Sequence, residues 1–324
     1  MKPVILVTGG AGYIGSHTCK LLALNEFHPV SVDNLVYGHK WAVKWGDFIQ
    51  GDIRDGQLLD QILNKYHPIA VIHFAGYSYA RESLVDPGKY YENNVSGSIS
   101  LLEAMRRNNC QRIIFSSSCA TYGIPETIPI TEDCPQHPIN PYGRSKLMIE
   151  KMIQDYQQAY GIKHIILRYF NAAGADPDGE IGENHDPETH IIPLLIQIAM
   201  KKRSFFEIFG TKFSTHDGTA IRDYIHVTDL AEAHLLSLQY LLDNQQSQTM
   251  NIGSGKGFSV KEIVEKVSKV ANTDIDVKNS PENPGDPPIL IANAEKSAKI
   301  LNWNPTRSNI ESIIHSAWNW YQKI

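Results

Sequence analysis

A tyrosine and a lysine four residues apart are the side chains of this sequence best suited to acid–base chemistry. Tyr142 directly follows Pro141, a residue that suits the first turn of a helix. Lys146 comes four residues after Tyr142, so both side chains would lie on one face of that helix. An ammonium group beside a phenol favours the phenolate, and we therefore expect the pKa of Tyr142 to fall below its usual value of about 10. Such a phenolate can remove the proton of a sugar or alcohol hydroxyl.

A run of three serines adds a second polar group to this chemistry. Ser118 is its last member and follows the apolar run 112–115, so it would lie where a strand ends. A serine there could hydrogen-bond the reacting hydroxyl and pass its proton to Tyr142. Each residue also has an ordinary explanation, with Tyr142 as a half-buried aromatic, Lys146 as a solvated helix charge and Ser118 as a turn residue. The Tyr–Lys spacing also arises by chance, so the choice between a catalytic and an ordinary structural role depends on the neighbouring motifs.

A glycine-rich loop near the start of the chain supplies that context. Gly9, Gly12 and Gly15 follow the apolar run 4–7 and open a helical pattern over 14–24. Glycine has no Cβ, so a backbone with this spacing can turn tightly and approach a pyrophosphate, which the helix N-terminus then binds. The arrangement predicts a dinucleotide-binding site, although an ordinary glycine turn would leave the same pattern.

An acidic residue at the end of the second apolar run indicates which dinucleotide would bind. Asp33 lies 18 residues after Gly15, where its carboxylate could accept hydrogen bonds from an adenosine ribose diol. It would repel a 2′-phosphate, so the sequence favours NAD over NADP. Asp52 ends the next run and is a candidate for the same crevice, with a helix N-cap as the alternative. The fourth run ends in Phe74, Ala75 and Gly76, which we expect to contact the cofactor in the same crevice.

The elements that would hold these residues alternate between short β-branched runs and amphipathic helices. The runs lie at 4–7, 30–32, 48–50, 70–74, 112–115 and 164–168. Near-continuous apolar strands separated by helices are typical of a parallel sheet covered on both faces, and right-handed crossovers make it a doubly wound α/β (Rossmann) fold. The glycine loop, Asp33 and Ser118 would then meet at the carboxyl edge of the sheet.

The sequence changes character after about residue 175. Residues 176–190 are polar and rich in turn formers, and two helical patterns with a few short strands follow them. We therefore expect a Rossmann domain over 1–175 and a smaller, mixed α/β domain over 176–324. Some segments of the second part are expected to return to the first domain.

Composition narrows the range of partners and compartments. With 30 basic and 35 acidic residues, the 324-residue chain has a formal charge of −5 and no strong field for nucleic acid or anionic lipid. Cys19, Cys110, Cys119 and Cys134 show no metal-ligand or redox spacing, so we expect no metal site and a reducing compartment. The apolar runs are too short for a signal peptide or a membrane span. We expect a cytoplasmic protein without nucleic-acid or membrane partners.

Together these motifs resemble the UDP-glucose 4-epimerase family, in the extended branch of the short-chain dehydrogenase/reductases. The resemblance runs from residue 4 to about 318 and is carried by TGGAGYIGSH, VDNL, GDIRD, HFAG, YYENNV, FSSSCATYG, PYGRSKLMIE, LRYFNAAGA, DGTAIRDYIHV and NIGSG. It implies tightly bound NAD and reversible inversion at C4 of a UDP-hexose through a transient 4-keto sugar. It also implies a homodimer built from helices near 90–108 and 142–160. A UDP-linked uronic acid, pentose or N-acetylhexosamine stays open as the substrate.

The resemblance assigns roles on the cofactor side of the site. Tyr142 would take the O4 proton, Ser118 would relay it, and Lys146 would bind the nicotinamide ribose and lower the pKa of Tyr142. Further contacts with NAD would come from Tyr13, Ile14, Asp33, Asn34, Asp52, Ile53, Asn93 and Phe170.

Three residues match substrate contacts of the family. Asn171 and Arg222 would hold the UDP, with Arg222 as a bidentate phosphate donor, and Phe209 would lie on the uridine side. The alternatives are an ion pair of Arg222 with Asp223 or Asp229 and a plain core position for Phe209.

The sequence departs from the family at four positions. Ser78 stands where the family often has a lysine that reaches the cofactor phosphates, and Asn283 stands where an arginine grips the diphosphate. His190 replaces an asparagine just before Ile191, yet a neutral histidine can still bind a phosphate or a sugar, so both residues are predicted to contact the substrate. Leu290 occupies the position that sets the pocket width, and its small size predicts tolerance of an N-acetyl group at C2.

Two other functions compete with this interpretation. A nucleotide-sugar 4,6-dehydratase needs an acid–base pair beside the serine, but Ser118 is followed by Cys119 and Ala120. A non-catalytic NAD-binding regulator would have no need of Tyr142 and Lys146, which this chain retains together with the serine.

Overall fold

The computed structural model describes residues 2–282 and 286–324, and these residues form thirteen strands and eleven α-helices. The strands are β1 (Val4–Thr8), β2 (His28–Asp33), β3 (Asp47–Gln50), β4 (Ala70–His73), β5 (Arg112–Ser118), β6 (Lys163–Tyr169), β7 (Asn171–Ala173), β8 (Phe206–Phe209), β9 (Ile221–His226), β10 (Gln248–Ile252), β11 (Gly257–Ser259), β12 (Val277–Ser280) and β13 (Ile289–Leu290). The helices are α1 (Tyr13–Leu24), α2 (Gly56–Tyr66), α3 (Ala80–Val85), α4 (Pro87–Tyr90), α5 (Gly97–Arg107), α6 (Pro141–Tyr160), α7 (Ile191–Ala199), α8 (Val227–Asn244), α9 (Val260–Ala271), α10 (Glu295–Leu301) and α11 (Ile310–Tyr321). Among the described residues, no helix combines the length and the apolar composition that a membrane span requires.

A seven-stranded parallel sheet in the order β10-β6-β5-β4-β1-β2-β3 forms the centre of the molecule. Thr8, the last residue of β1, pairs with Val32 on one side and with His73 on the other. The strand order reverses between β1 and β4, and ligands of doubly wound sheets bind at the carboxyl ends of the strands beside such a reversal. The predicted doubly wound α/β fold is confirmed.

Two apolar layers cover the central sheet. Ile5 of β1 packs on one face with Leu22 of α1 and Leu238 of α8, whereas its neighbour Leu6 packs on the other face with Leu101 of α5. Successive side chains of a strand point to opposite faces, so a strand covered on both sides is apolar throughout. This burial explains why the strands are visible as continuous apolar runs in the sequence.

Two smaller sheets and the helices α7, α9 and α11 form a second region beyond β6. Strand β9 pairs with β7, β11 and β13, and β8 pairs with β12. The core of this region includes Leu195, Ile263 and Trp320. The chain also returns to the central sheet, since β10 lies beside β6 and α8 packs on α1. The division into domains at residue 175 stays a prediction.

A continuous helical segment carries two buried asparagines towards the carboxyl edge of the sheet. Between α4 and α5 the helix makes a π-helical turn at Tyr91–Ser96 that contains Asn93 and Asn94. The Asn94 amide accepts from the Tyr77 N–H (2.8 Å) and donates to the Tyr77 carbonyl (2.9 Å) and the Ser145 hydroxyl (3.1 Å). This turn therefore fixes the segment after β4 and the first part of α6 to each other.

Candidate active site

The glycine loop between β1 and α1 folds back on itself at the carboxyl edge of the sheet. Gly9 has a φ of +75°, its N–H donates to the Val32 carbonyl (2.8 Å), and its own carbonyl accepts from the Gly12 N–H (3.1 Å). A Cβ on Gly15 would collide with the Gly9 carbonyl oxygen, and one on Gly9 would lie 2.7 Å from the Ala75 nitrogen. Gly12 is the N-cap of α1 and has no side chain to cover the helix N–H groups, which stay available to an anion.

Asp33 lies at the end of β2 with its carboxylate held by the backbone. The Ala11 N–H donates to Oδ2 (3.1 Å) and the Leu35 N–H donates to Oδ1 (2.8 Å). Burial raises the pKa of Asp33, while these two hydrogen bonds act in the opposite direction. The residue lines the cleft beside the glycine loop, so the remaining lone pairs of its carboxylate can accept from ribose hydroxyls.

Asp52 follows β3 and is engaged by two other side chains. Its carboxylate pairs with Arg54 (2.8 Å) and accepts from Asn34 Nδ2 (3.1 Å), and Arg54 lowers the pKa of Asp52 to about 2. The alternative of a helix N-cap is wrong, because Asp55 caps α2. The role of Asp52 as a cofactor contact stays a prediction.

A cleft of about 550 Å³ runs along the carboxyl ends of the central strands. It brings together all the predicted cofactor-binding residues except Asp52, including segments that are far apart in sequence. These lining residues are Gly9, Gly12, Tyr13, Ile14, Gly15, Asp33, Asn34, Ile53, Phe74, Ala75, Gly76, Asn93, Tyr142, Lys146 and Phe170. One continuous groove thus connects the glycine loop to the predicted catalytic side chains.

The three predicted catalytic residues meet in this cleft. Asn140 caps α6, which places Tyr142 in the first turn of the helix and Lys146 one turn further on. Tyr142 is only 8% exposed and lines the cleft together with Ser118 at the end of β5. The Lys146 ammonium donates to the Ser116 carbonyl (2.7 Å). The end of β5 therefore orients the ammonium and lies beside the phenol.

The protonation of Tyr142 differs from the expectation based on its spacing to Lys146. Burial raises the pKa of Tyr142 above its usual value, and the nearby Ser118 hydroxyl offsets only part of that shift. Burial also lowers the pKa of Lys146, to about 8. The expected fall in the pKa of Tyr142 is wrong for the polypeptide itself, because the cost of desolvating the phenolate dominates. A further positive charge beside the ring is needed to favour the phenolate.

Strands beyond β6 form the opposite wall of the cleft. Phe170 follows β6, Asn171 begins β7, and Leu290 in β13 pairs with Arg222 in β9. All four residues line the cleft. Because β7 and β13 both pair with β9, one small sheet holds the whole set of predicted substrate contacts on this wall.

A second cavity of about 840 Å³ adjoins the cleft and contains the remaining predicted substrate contacts. It shares His190 with the cleft and adds Ile191 and Phe209. The Phe209 ring is half-buried at the cavity wall, with the Arg81 guanidinium 4.1 Å above it. The plain core alternative for Phe209 is therefore wrong. Arg81, which lines both cavities, belongs to no motif that could have marked it in the sequence.

The guanidinium of Arg222 lies between the two cavities and borders both. The two carboxylates that the sequence offered as partners are bound elsewhere: Asp223 accepts hydrogen bonds from residues 254–255 and Asp229 accepts from residues 307–308. The carboxylate that acts on Arg222 electrostatically is Asp286. Neither of the two alternative ion pairs of Arg222 is formed among the described residues. Burial lowers the pKa of Arg222, so a bound anion would relieve an unfavourable environment.

A cluster of two histidines and two glutamates borders the same space. Nδ1 of His190 lies 2.8 Å from Glu183 Oε1 and 3.0 Å from Glu188 Oε1, and His185 approaches the same carboxylates. Burial alone would lower the pKa of His190, but the two glutamates outweigh it and raise the pKa to about 10. Of the four residues only His190 was expected from the sequence, although alternating acids and histidines in GENHDPETH were a usable signal.

Of the departures from the family pattern, Ser78 lies within the described residues and Asn283 does not. Ser78 lines the cleft, as the family's lysine position requires, but a hydroxymethyl group carries no charge. The described cations that line the cleft include Arg81, Lys146 and Arg222.

The cleft has the features that a bound NAD requires. The glycine loop leaves no room for a Cβ at Gly9 or Gly15, so its backbone can approach a pyrophosphate at the N-terminus of α1. Asp33 lines the same cleft, at the position expected for the adenosine ribose. Phe170, buried and close to Ser118 and Tyr142 in the same cleft, offers a flat apolar wall. The residues of this chain therefore fit the cofactor.

Comparison with known proteins agrees with this geometry. The NAD dependent epimerase/dehydratase family matches residues 5–253. A UDP-glucose 4-epimerase of Rhizobium meliloti is 47% identical over 98% of this chain and 97% of its own length, and one of Halalkalibacterium halodurans is 49% identical over 98% and 96%. The crystal structure of UDP-glucose 4-epimerase from Brucella ovis in complex with NAD has a TM-score of 0.96 and 49% identity, covering 98% of both chains. The chain therefore belongs to the NAD-dependent epimerase/dehydratase family and, within it, to the UDP-glucose 4-epimerases.

Proposed function

We propose that this chain catalyses the reversible inversion of C4 in a UDP-hexose, with NAD held in the cleft. The main support is that Ser118, Tyr142 and Lys146 line the same cleft as the glycine loop. Inversion of a secondary alcohol through a ketone needs a proton acceptor and a redox cofactor side by side. This cleft provides both positions within one cavity.

The side chains of the cleft divide the proton transfer between them. Tyr142 removes the O4 proton, and Ser118 bridges the two oxygens, with its hydroxyl fixed by the Ala120 N–H (3.1 Å). Lys146, held by the Ser116 carbonyl, places a positive charge beside the phenol and lowers the cost of the phenolate. A bound NAD would supply a reversible hydride acceptor in this cleft, so the reaction would have no net redox change.

The substrate side holds the nucleotide and leaves the sugar free to turn. Arg222 and Asn171 bind the diphosphate, His190 and Ile191 contact the nucleotide at the start of α7, and Phe209 packs on the uridine side. A 4-keto sugar must present its other face before the hydrogen returns to C4. The adjoining cavity of about 840 Å³, which Ile191 and Phe209 line, holds the UDP while the sugar turns in the cleft beside Leu290.

Leu290 sets the width of the sugar pocket in this proposal. It is 7% exposed, packs in a small cluster with Phe170, and lines the cleft. Leucine is shorter than the tyrosine of narrow-pocket members of the family, so we propose that an N-acetyl group at C2 is accepted. The substrate range then covers UDP-glucose, UDP-galactose and their N-acetyl forms.

The 4,6-dehydratase alternative lacks its acid–base pair. Burial raises the pKa of Cys119, the neighbour of Ser118, to about 12, so this thiol cannot exchange protons near neutral pH. Ala120 follows it and has no functional group. Removal of the C5 proton therefore has no base at the position where that reaction requires one.

The Tyr142→Phe variant tests the proposed chemistry. Removing a general base lowers kcat by about 10²–10⁴-fold, whereas NAD should stay bound because the glycine loop is untouched. Tyr160→Phe, at the exposed end of the same helix, is the matched control and should keep full activity. Interconversion of UDP-glucose and UDP-galactose, followed by separation of the C4 epimers, measures both. Tyr142→Phe activity within a few fold of wild type would show that another group is the base.

A homodimer and a cytoplasmic location extend the proposal. Ile99 of α5 and Met148 of α6 are 42% and 45% exposed although both are apolar, which supports pairing of these helices with a second copy. Met148→Lys should then shift the mass measured by light scattering from dimer to monomer, and an unchanged mass would refute this interface. The four free cysteines are consistent with a reducing cytoplasm.

A further inference from the structure

We propose that Glu183, His185, Glu188 and His190 bind one divalent transition-metal ion, with Zn²⁺ as the best chemical match. Two imidazole nitrogens and two carboxylate oxygens are a donor set that zinc accepts. The four residues lie on one loop, between the polar segment after β7 and the start of α7. The site does not include Tyr142, but it shares His190 with the proposed nucleotide contact: Nδ1 would face the ion, which leaves Nε2 for the nucleotide.

The spacing of the donor atoms supports this assignment. His190 Nδ1 lies 2.8 Å from Glu183 Oε1 and 3.0 Å from Glu188 Oε1, and His185 Nδ1 lies 3.3 Å and 3.8 Å from the corresponding glutamates. One donor atom from each residue fits within 4.8 Å of all the others. Donors of a tetrahedral zinc site are about 3.4 Å apart, given metal–ligand distances of about 2.0–2.1 Å. The four atoms therefore surround a point at which an ion of that size fits.

Two of these atoms have no ordinary partner. In the part of the chain that the structure describes, Glu183 Oε1 and His185 Nδ1 make no hydrogen bond of acceptable geometry. Glu183 is only 3% exposed, and a buried carboxylate oxygen without a partner is costly. The histidine nitrogens approach this oxygen closely but not along hydrogen-bond directions. A metal ion at the centre would satisfy Glu183 Oε1 and His185 Nδ1 at once.

Surrounding groups hold the donors in place. Glu188 Oε1 accepts from the backbone N–H groups of Thr189 (2.7 Å) and His190 (2.9 Å), and Glu188 Oε2 accepts from the Tyr321 hydroxyl (3.2 Å). Contacts of this kind orient ligands in metal sites. They also attach the loop to α11, so an ion here would join two elements that are distant in sequence.

A second acidic cluster nearby shows what a site without metal looks like. Asp176, Asp178 and Glu180 gather around the ammonium of Lys20 at 2.9, 2.7 and 2.7 Å. That amine already supplies the compensating charge. Within the described ranges, Glu183 and Glu188 instead form their ion pairs with the two histidines, which are themselves metal ligands.

The ion would be structural, because four protein side chains fill a tetrahedral shell and leave no open position. Glu183, His185 and His190 also line the cleft, so the ion would fix part of its wall. The expectation of no metal site rests on cysteine spacing alone. The histidines and glutamates of residues 183–190 become neighbours only through the fold of this loop.

Metal analysis of the purified protein tests the site. After addition of Zn²⁺ and dialysis, wild type should retain one zinc per chain, whereas Glu183→Gln and His185→Ala should lose stoichiometric binding. His315→Ala, an exposed histidine on α11, is the matched control and should retain the ion. Far-UV circular dichroism shows whether each variant is folded. No retained zinc in wild type, or equal zinc in folded wild type and Glu183→Gln, would overturn the proposal.

Cobalt distinguishes the metal site from a cluster of protonated histidines and from binding by cysteines. Co²⁺ in wild type should give the intense visible bands of tetrahedral coordination without the near-ultraviolet band of a thiolate ligand, and His185→Ala should lose them. A thiolate band, or only the weak spectrum of hydrated Co²⁺, would refute this donor set. Tyr142→Phe should bind zinc like wild type, so the metal site and the proposed reaction can fail separately.

Discussion

The two walls of the active-site cleft are built in different ways. On the cofactor side, the ends of the neighbouring strands β1, β2 and β4 supply the wall, and close backbone contacts such as that between Gly9 and Ala75 shape it. On the substrate side, β7, β9 and β13 supply side chains from segments far apart in sequence, as in the pairing of Leu290 with Arg222. One wall is mainly backbone and the other is mainly side chains.

This difference determines which changes each wall can tolerate. A backbone wall leaves little freedom, since adding one methyl group to Gly15 already meets the Gly9 carbonyl. A side-chain wall can exchange residues without moving a strand, so substrate preference can change while the fold and the cofactor stay the same. The departures at His190 and Leu290, both on the substrate side, agree with this distinction. Ser78 does not, because it lies on the cofactor side.

Gly15→Ala tests the rigidity of the cofactor wall and should have a larger effect on NAD binding than a substitution in the substrate wall. The new Cβ displaces the start of α1 from the glycine loop, and a misplacement of about 1 Å can cost about 100-fold. We expect the affinity for NAD, measured by fluorescence titration, to fall by that factor. Gly56→Ala is the matched control, since its Cβ would meet no heavy atom closer than 3.8 Å. Equal NAD affinity in both variants would contradict a close-packed backbone wall.

Lys146→Ala tests whether the charge of Lys146, which lies on α6 between the two walls, controls the pKa of Tyr142. The measurement is the pH dependence of kcat. Below about pH 8, Lys146 carries a positive charge that favours the Tyr142 phenolate, so its removal raises the pKa of the phenol. Activity that requires the phenolate is lost as the pH falls through this pKa, and the acid limb should therefore move to higher pH by about one to three units. Lys151→Ala, exposed on the same helix, should leave the limb in place. An unmoved limb in Lys146→Ala would show that this charge does not control the base.

Most of the cofactor wall could be predicted from the sequence because its signals are local. Strands buried on both faces appear as apolar runs, and the glycine loop and Asp33 directly follow two of them. The same local signals do not show how deeply a side chain is buried. For this reason the direction of the Tyr142 pKa could not be predicted, since desolvation in the folded cleft decides it.

The substrate wall could be predicted only where a motif marked it. Arg222 and Asn171 belong to recognisable motifs, whereas Arg81 reaches the site because α3 places its guanidinium over Phe209. Glu183 and Glu188 depend on how their loop folds against α11. The alternating acids and histidines of residues 183–190 mark this loop in the sequence. Its contacts with α11 arise from tertiary packing, which a pattern of residue types does not give.

Arg222→Gln tests whether the substrate wall binds independently of the cofactor wall. Losing a charge-assisted hydrogen bond costs about 1.5–3 kcal/mol, which corresponds to about 10- to 100-fold in KM for the UDP-sugar. NAD affinity should be unchanged, because Arg222 lies on a different strand system from the glycine loop. Arg106→Ala, which removes an exposed arginine paired with Glu103, serves as the control. A parallel loss of NAD binding would show that the two walls are coupled.

Leu290→Tyr tests the smallest difference, a change of pocket width within the side-chain wall. Adding volume to a filled pocket costs at least about 1 kcal/mol, so kcat/KM for the N-acetyl substrate should fall by about fivefold or more. UDP-glucose has no group at C2 larger than a hydroxyl, and its turnover should change little. The ratio of the two kcat/KM values is thus measured within one variant, and Leu290→Ala should keep it close to that of wild type. If Leu290→Tyr lowers both values equally, position 290 affects packing around Phe170 rather than sugar selection.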